Sequence, residues 1–321
     1  MSAIRKTAVV TGAAGYIGTM LVEALVKSSY NVVRVSRNDL LPIEGTTTIK
    51  ADIRTPAPWS FLAKADVLYH LAGVTSAYES EKSPIDSLRA TLCPIMHFLG
   101  ALKAGNHKPR VVFASTATIY GVCADAVISE QNQPNPITTY DLHKFFVERQ
   151  LQLAAAQGRI HGACLRLANV YGPSTTESAS IDRGILNRVV SAAFRREEIK
   201  LYGDGNYLRD YVHIDDVINA FLLAGRGASQ DFDIFNVATG RGVTLKTAFT
   251  HVCQVVESIN GHLSNIQYEP WPQGTHEIEY RNYTYDTARI RSELNWCPMV
   301  TFENGINRMV NHLSEKRSKF S

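Results

Sequence analysis

The chain has few cysteines, and they are not arranged to form a disulfide framework or a zinc site. Its five cysteines are an odd number, they are widely spaced, and no two of them form a C-x-x-C pair. None of the ten histidines belongs to an H-E-x-x-H pair. We therefore expect reduced cysteines and predict no metal site.

Long apolar runs and an excess of one charge are also missing. No segment reaches the roughly 18 apolar residues of a membrane span, and residues 1–11 lack the apolar core of a signal peptide. Lys and Arg number 33 against 30 Asp and Glu, so the net charge is only +3. Such a balance does not favour a nucleic acid or a membrane surface as partner. We expect a cytoplasmic protein that binds neither.

The composition is that of a folded protein of enzyme size. A chain of 321 residues, 45% of them hydrophobic, is long enough for two domains or for one large domain with a satellite. In the first half, short β-branched runs alternate with amphipathic stretches, which predicts a doubly wound parallel sheet covered by helices. Strands are predicted at 6–11, 31–36, 47–51, 67–71, 111–115 and 162–167, and helices at 16–27, 88–104 and 140–156.

The alternation of strands and helices ends near residue 173, where a polar loop begins. Beyond it we predict helices near 185–195, 215–223, 245–259 and after 302, and a strand at 232–237. No Gly, Ser or Pro linker separates the two halves. The prediction is a main domain at 1–170, with a return at about 206–238, and a smaller, mostly C-terminal α/β cap at 171–205 and 239–321.

A glycine-rich turn joins the first predicted strand to the first predicted helix. Gly12, Gly15 and Gly18 follow a G-x-x-G-x-x-G spacing. Such glycines permit a tight turn and a close approach of the backbone to a pyrophosphate, whose charge then meets the helix N-terminus. An ordinary glycine-rich turn is the alternative, but the position between strand and helix favours a dinucleotide site.

The end of the second predicted strand indicates which dinucleotide is bound. An acidic residue there would accept the 2′-hydroxyl of NAD, whereas this chain has Ser36 and Arg37. A hydroxyl and a fixed cation can hold a 2′-phosphate. The sequence therefore favours NADP over NAD, with stacking of Arg37 on the adenine as the alternative.

Thr116, Tyr140 and Lys144 form a candidate acid/base group. Tyr140 and Lys144 are four residues apart, so they share one face of a helix. A nearby ammonium and an oxidised nicotinamide would stabilise the phenolate of the tyrosine and make it a usable base. Thr116 stands at the end of a predicted strand and can donate a hydrogen bond to the reacting oxygen.

The sequence resembles the extended short-chain dehydrogenase/reductase family, which contains nucleotide-sugar epimerases, dehydratases and ketoreductases. The resemblance covers nearly the whole chain, and several of its motifs are individually specific. It rests on TGAAGYIG (11–18), ADI (51–53), HLAG (70–73), ASTATIYG (114–121), YDLHK (140–144), RLANVYGP (166–173), YGDG (202–205) and RDYVHIDD (209–216).

The resemblance implies a Rossmann-type dinucleotide-binding domain, a substrate-binding cap and a nucleotide-diphosphate sugar as substrate. The catalytic residues would be Thr116, Tyr140 and Lys144, and the substrate contacts Thr75, Thr116, Asn169 and Arg209. The implied cofactor contacts, with Ser36 and Arg37 included, are Gly12, Gly15, Tyr16, Ile17, Gly18, Asp52, Ile53, Leu71, Ala72, Gly73, Thr91, Tyr140, Lys144, Tyr171 and Pro173.

The chain departs from the family pattern at three places. Thr91 stands where the family usually has Asn, and His143 stands where it usually has Ser before the catalytic lysine. The acid after the second strand is missing. A ribose contact or a water relay is therefore expected to be altered near His143.

Four functions remain open at this point. Dehydratases of the family usually carry Asp-Glu after the strand-end threonine, and this chain has Ala117 and Thr118. The Thr-Ala-Thr arrangement is similar to that of sugar 4-epimerases, which we favour, whereas Ser36 and Arg37 favour an NADPH-dependent 4-ketoreductase. A non-catalytic regulatory protein would typically have lost the tyrosine or the lysine.

We also predict a homodimer. The helices at 88–104 and 140–156 carry more apolar residues than one buried stripe requires. The resemblance implies that these two helices pair across a two-fold axis into a four-helix bundle. Burial of the same residues within one chain is the alternative.

Overall fold

The computed structural model describes residues 5–102, 107–173, 184–227 and 231–318 and divides the chain into two compact units. Unit 1 comprises the described residues up to Tyr120, together with Gln133–Leu167 and Ile218–Phe235. Unit 2 comprises Gly121–Asn132 and the described residues of Ala168–Val217 and from Asn236 onward. Each unit has its own hydrophobic core.

A seven-stranded sheet is the framework of unit 1. Its strands are β1 (Thr7–Thr11), β2 (Asn31–Ser36), β3 (Thr46–Lys50), β4 (Val67–His70), β5 (Arg110–Thr116), β7 (His161–Leu167) and β11 (Phe232–Val237). They follow the order β11-β7-β5-β4-β1-β2-β3, and all neighbours from β7 to β3 are parallel. The order in which the chain adds strands reverses at this point: β2 and β3 lie on one side of β1, whereas β4, β5 and β7 lie on the other. Ligands of doubly wound sheets bind at such a reversal.

Helices accompany these strands because apolar residues at helical spacing must be buried against the sheet. They are α1 (Tyr16–Lys27), α2 (Trp59–Leu62), α3 (Ala77–Lys82), α4 (Pro84–Thr91), α5 (Cys93–Ala101) and α6 (Thr139–Ala156), with a 3₁₀ turn at Ala117–Tyr120. One core joins Trp59, Phe98 and Leu151 of these helices to Val9 and Phe113 of the strands. The predicted doubly wound α/β fold is confirmed.

Unit 2 contains three small sheets and a helical core. The sheets pair β12 (Gly242–Thr244), β10 (Leu208–His213) and β8 (Asn169–Tyr171); β13 (Ile266–Glu269) and β9 (Ile199–Tyr202); and β14 (Thr284–Tyr285) and β6 (Val127–Ile128). The helices are α7 (Ile185–Phe194), α8 (Ile214–Arg226), α9 (Leu245–Asn260), α10 (Ala288–Leu294) and α11 (Phe302–Ser318), with a 3₁₀ turn at Glu277–Tyr280. Helix α8 begins in unit 2 and ends in unit 1, and strand β11 does the reverse.

The predicted helix at 88–104 is wrong as a single helix. The structure has α4 and α5 instead, and the break falls at Leu92. Pro94 lies in the first turn of α5, where its missing N–H costs nothing, whereas inside one continuous helix its ring would clash with the preceding turn. Residues 103–104 of the prediction, and the polar loop after Pro173, lie outside the described residues.

The predicted return to the main domain, at about 206–238, is longer than the segment that the structure assigns to unit 1. Only Ile218–Phe235 belongs there, because β10 pairs with β8 and β12 in unit 2. Within the described ranges, no helix is long and apolar enough to cross a bilayer. No group of three or more His, Cys, Asp or Glu side chains in those ranges is placed to hold a metal ion.

Candidate active site

The glycine turn lies where β1 ends, beside the end of β4. Gly12 has φ +70°, and a Cβ there would lie 2.8 Å from the backbone nitrogen of Ala72. A Cβ on Gly18 would lie 2.1 Å from the carbonyl oxygen of Gly12, so only glycine lets α1 start this close to the turn. No side chain caps α1, and its first turn has no acidic residue. The turn therefore leaves a backbone surface suited to an anion.

Four predicted contacts lie at the ends of β2 and β3. Ser36 closes β2, and the exposed guanidinium of Arg37 makes no hydrogen bond to any residue that the structure describes. Asp52 accepts bonds of 2.6–3.0 Å from the side chain of Arg54, which lowers its pKa. Ile53 is buried, and its carbonyl accepts a bond from the Trp59 indole at 2.9 Å. Arg37 is the cation left available in this group.

Leu71, Ala72 and Gly73 follow β4 and pass close to the helix that carries the lysine. Their chain is anchored on β1, because the N–H of Leu71 donates to Thr11. A Cβ on Gly73 would lie 3.4 Å from Oγ1 of Thr91 and 3.7 Å from Nζ of Lys144. Thr91 is almost fully buried, whereas Thr75, two residues beyond Gly73, is exposed.

The structure brings Thr116, Tyr140 and Lys144 together. Thr116 ends β5, and α6 begins one turn before the lysine, with Thr138 as its N-cap. The side chain of Thr116 stabilises the ionised form of Tyr140 and so lowers the pKa of that phenol. Nζ of Lys144 lies 5.9 Å from the centre of the Tyr140 ring and donates to the carbonyl of Ala114 at 2.8 Å. Strand β5 therefore carries Thr116 and also accepts the hydrogen bond of Lys144.

Burial shifts both titratable groups towards their neutral forms. It is the largest cause of a raised pKa for Tyr140, and the neighbouring charge of Asp141 adds to it, whereas the side chain of Thr116 opposes it. Burial lowers the pKa of Lys144 to about 8, against the opposing effects of Cys164 and Glu148. The site therefore holds a protonated phenol beside an ammonium that titrates near neutral pH.

The structure has a glycine turn between β1 and α1, a Tyr-Lys pair on α6 and a threonine at the end of β5. The comparison with known families agrees with this arrangement. The model described as the NAD-dependent epimerase/dehydratase family matches residues 8–238. The chain belongs to this family. The match includes all of the unit 1 residues predicted for catalysis and cofactor binding.

Relatives and solved structures of this family extend over almost the whole chain. UDP-glucose 4-epimerase of Mycolicibacterium smegmatis is 28% identical over 318 residues, which are 96% of this chain and 98% of that protein. The crystal structure of UDP-glucose 4-epimerase with UDP-glucose from Thermotoga maritima is 27% identical, with a TM-score of 0.85 and coverage of 97% and 99% of the two chains. MoeE5 in complex with UDP-glucuronic acid and NAD is 28% identical, with a TM-score of 0.84 and the same coverage.

The described residues of unit 1 fit the family's nicotinamide cofactor. The cradle at Gly12 and Gly18 has no room for a Cβ, and the uncapped start of α1 suits a pyrophosphate. Gly73 keeps the space beside Lys144 free of a side chain. Within unit 1, the glycine turn, Ser36, Arg37 and residues 71–73 follow the ends of β1, β2 and β4, the edge of the sheet at which ligands of this fold bind.

The predicted contacts in unit 2 have more partners within the protein than the sequence suggested. The guanidinium of Arg209 is buried and donates to the carbonyls of Leu208, Glu279 and Arg281 at 2.7–2.8 Å. Three of the five N–H donors of this guanidinium are therefore directed at backbone oxygens of the protein itself. Asn169 accepts a bond of 3.1 Å from Arg281.

Tyr171 and Pro173, the remaining cofactor contacts implied by the resemblance, lie at the end of β8. The ring of Tyr171 is buried between Tyr211 and Phe302, and its hydroxyl donates to backbone carbonyls at 301 and 302. Only the backbone of Tyr171 remains for a ligand. Pro173 is partly buried and is the last residue described before 184.

Sequence reasoning missed the polar partners behind the candidate residues. Glu148 and Arg166 form a fully buried ion pair of 2.7 Å, and the hydroxyl of Ser115 also donates to Glu148. The available signal in the sequence was a charged residue within an otherwise apolar strand, as Arg166 is in β7. His143, which replaces the usual serine, is buried and shares a bond of 3.0 Å with Ser87 on α4.

Proposed function

We propose that this protein interconverts nucleotide-diphosphate sugars by epimerisation at C4, through a transient 4-keto sugar. The observation that carries the proposal is the grouping of Thr116, Tyr140 and Lys144 beside the glycine turn. When bound, the nicotinamide supplies reversible hydride transfer at the sugar carbon. The protein's own residues must then move one proton at the adjoining oxygen and hold the ring.

Tyr140 is the proposed acid/base. As the phenolate it takes the proton of the 4-hydroxyl while the keto sugar forms, and as the phenol it returns a proton to that oxygen after the keto sugar has rotated to present its other face. Lys144 lies 5.9 Å from the ring centre and supports the phenolate through its charge. Thr116 acts in the same direction, because it lowers the pKa of Tyr140. Unit 1 is the proposed dinucleotide-binding domain, and unit 2 the proposed substrate-binding domain.

A 4-ketoreductase that uses NADPH is the second candidate. Arg37 favours it, because an exposed guanidinium without a hydrogen-bonding partner in the described chain can take a 2′-phosphate as a fork. We infer a preference for NADP on the same ground. A dehydratase is disfavoured, since Ala117 and Thr118 follow Thr116 where an Asp-Glu pair would be needed.

The deciding experiment offers the purified protein UDP-glucose and UDP-N-acetylglucosamine with catalytic NAD⁺ or NADP⁺ and follows the sugars by NMR. An epimerase forms the C4 epimer without net consumption of cofactor. A ketoreductase leaves these sugars unchanged but consumes NADPH in proportion to an added nucleotide-4-keto sugar. Tyr140→Phe is the control, and we expect it to retain cofactor binding and lose at least about 10²-fold in turnover.

Further parts of the functional interpretation remain proposals. A substrate diphosphate would meet Asn169 and Arg209, and the Thr75 hydroxyl would contact the sugar. Arg209→Ala tests the first of these: we expect a raised KM for the nucleotide sugar and unchanged cofactor affinity. If Arg209→Ala instead lowers the folding stability and weakens the binding of both the nucleotide sugar and the cofactor, Arg209 is a purely structural residue. We also propose that the protein is cytoplasmic and that it forms a homodimer.

A further inference from the structure

Glu148 is a carboxylate with no exposed surface, and the function proposed above gives it no task. It lies on α6, one helical turn after Lys144. Arg166 on β7 donates to both of its oxygens at 2.7–3.3 Å, and the hydroxyl of Ser115 on β5 donates to one of them at 2.5 Å. The remaining guanidinium nitrogen donates to the hydroxyl of Tyr120 at 2.8 Å. Glu148 is therefore anchored on two neighbouring strands.

Lys144 reaches the same strand, β5, one residue before the contact of Glu148. Its Nζ donates to the carbonyl of Ala114 at 2.8 Å and lies 4.9 Å from the centre of the Phe113 ring. Side chains four residues apart on a helix share one face, so the ammonium and the carboxylate are neighbours against the sheet. Lys144 nevertheless forms no ion pair with any residue that the structure describes. Two buried opposite charges thus lie side by side without pairing.

The guanidinium of Arg166 explains why these two charges do not pair. Its fork takes both oxygens of Glu148, and bidentate bonds of this kind are the strong form of charge-assisted hydrogen bond. If the ammonium of Lys144 displaced this fork, a guanidinium would be left buried and unpaired, which is strongly unfavourable. Arg166 therefore leaves the ammonium on the carbonyl of Ala114.

Few other charges face the ammonium of Lys144, and the β5 residues beneath it are uncharged. On β4, burial and the nearby ammonium lower the pKa of His70 to about 3, so this imidazole is neutral. On β7, burial raises the pKa of the Cys164 thiol, which is therefore neutral as well. On α6, the ring centre of Tyr140 lies 5.9 Å away. Burial lowers the pKa of Lys144, and the charge of Glu148 opposes that effect.

We propose that Glu148 and Arg166 are positioning residues for Lys144: the carboxylate holds the buried ammonium in its charged form, and the guanidinium keeps that ammonium out of an ion pair. The positive charge then stays available to the phenol of Tyr140, whose ionised form it favours. Stability alone does not require such a pair, because apolar side chains of similar volume often replace a buried ion pair without loss. The catalytic roles of Lys144 and Tyr140 rest on the function proposed above.

The test measures the titration of Lys144 in the nucleotide-free protein. Lysines are labelled with carbon-13 at Cε, the Lys144 signal is assigned by its loss in Lys144→Met, and its chemical shift is followed with pH. Glu148→Gln keeps the shape of the side chain but removes its charge, so the pKa of Lys144 should fall by about one pH unit or more. Arg166→Met leaves the carboxylate without its partner, so Lys144 should pair with it and its pKa should rise by a similar amount.

A double variant decides the question if the single variants do not fold. Glu148→Met combined with Arg166→Met leaves no unpaired charge in the core, and we expect it to fold with a Tm close to that of the wild type. The pKa of Lys144 should still fall in it, because the anion that favours the ammonium is gone. An unchanged or raised pKa in the double variant would overturn the proposal.

Leu151→Val is the matched control for damage to α6. Leu151 lies on the same helix, one turn beyond Glu148, and it is buried and uncharged. The substitution should lower the stability and leave the titration of Lys144 unchanged. The proposal is wrong if the pKa of Lys144 stays constant in Glu148→Gln, if it does not rise in Arg166→Met, or if it moves as much in Leu151→Val.

The titration needs no turnover, so its result is independent of the function proposed above. If no nucleotide sugar is converted but the pKa moves in opposite directions in the two single variants, the positioning role stands and the assigned reaction is wrong. If sugars are converted and the pKa stays constant, the reaction stands and the ion pair is only part of the core. In an active enzyme, the basic limb of the pH profile of kcat/KM should move to lower pH in Glu148→Gln.

Discussion

Arg37 is the residue on which the choice between NADP and NAD depends. Its guanidinium is exposed, and the acid that would accept a ribose hydroxyl is missing after β2. If Arg37 holds a 2′-phosphate, Arg37→Ala should weaken NADP binding by about 1.5–3 kcal/mol, as expected for a lost charged hydrogen bond. NAD binding should barely change. Isothermal titration with both dinucleotides measures the two losses.

Arg37→Lys is the matched variant, because it keeps the charge and loses the forked geometry. We expect it to recover part of the NADP affinity. Equal losses for NADP and NAD in Arg37→Ala would show that the side chain stacks on the adenine instead.

Lys144 gives the nucleotide-free protein a pH-dependent stability. Burial lowers its pKa to about 8 in the folded state, whereas an unfolded lysine titrates at its ordinary value of 10.5. Between these values the unfolded chain binds the proton and the folded protein does not, so the free energy of unfolding rises with pH in that window. Below pH 8 both states are protonated, and the cost of burying the ammonium applies in full.

Lys144→Met removes this effect. Urea unfolding at pH 7 and pH 10 should show that the variant gains stability relative to the wild type at the lower pH, by on the order of 2–3 kcal/mol. The difference between the two proteins should shrink towards the higher pH. A difference that does not vary with pH would mean that Lys144 is not desolvated in the folded protein.

Residue roles could be predicted from the sequence only where neighbours along the chain carry the chemistry. Tyr140 and Lys144 are one helical turn apart, and the glycine turn is a local motif, so both groups could be proposed from the sequence alone. The bond between Thr118 and Asp141 joins two elements, and two of the three carbonyls around Arg209 come from residues about 70 positions away. Such pairings depend on the tertiary fold, which no local spacing reveals.

At the scale of elements, the start of α1 depends on the absence of a side chain at Gly18. A Cβ there would lie 2.1 Å from a backbone oxygen, which cannot move aside as a flexible side chain would. Gly18→Ala should therefore shift α1 away from the turn, weaken dinucleotide binding at least tenfold, and cost about 1–3 kcal/mol of stability as other overpacked sites do. Thermal unfolding with and without dinucleotide measures both effects.

Gly100 is the matched control for that substitution. It lies in α5, it is exposed, and a Cβ there would meet nothing within 4 Å. Gly100→Ala should raise the stability by about 0.5–1 kcal/mol through helix propensity, and it should leave dinucleotide binding unchanged. If both variants behave alike, the close approach at Gly18 does not matter for the turn.

The strands of unit 1 were predictable because they are short apolar or β-branched runs, and none of their bounds differs from the prediction by more than one residue. The small sheets of unit 2 were not predicted: β12 has three residues and β14 has two, which is too short for a periodic pattern. Pro94 was visible in the sequence, yet the apolar residues on both sides of it read as one helix. The prediction of this helix relied on hydrophobic periodicity alone, whereas the backbone restrictions of proline divide the segment into two helices.

At the scale of the whole molecule, exposed apolar side chains on three helices indicate a surface that pairs with a second copy. On α6 they are Leu142, Phe146 and Leu153, spaced so that they share one face. Ile85 and Leu88 on α4 and Met96 on α5 are exposed as well. Three helices that each leave large apolar residues in water point to an interface between copies of this chain.

We expect the wild type to be a dimer at micromolar concentration, as measured by light scattering after gel filtration. Phe146→Glu places a charge in the centre of the exposed row on α6 and should shift the protein to a monomer of 35.5 kDa with its dinucleotide site intact. Leu263→Glu is the control, since Leu263 is similarly exposed at 55% but lies after α9 in unit 2. It should leave the dimer unchanged, because Leu263 lies outside the exposed row on α4, α5 and α6, and scattered exposed apolar residues are normal on a protein surface. A wild-type monomer, or dissociation by both substitutions, would contradict an interface formed by α4, α5 and α6.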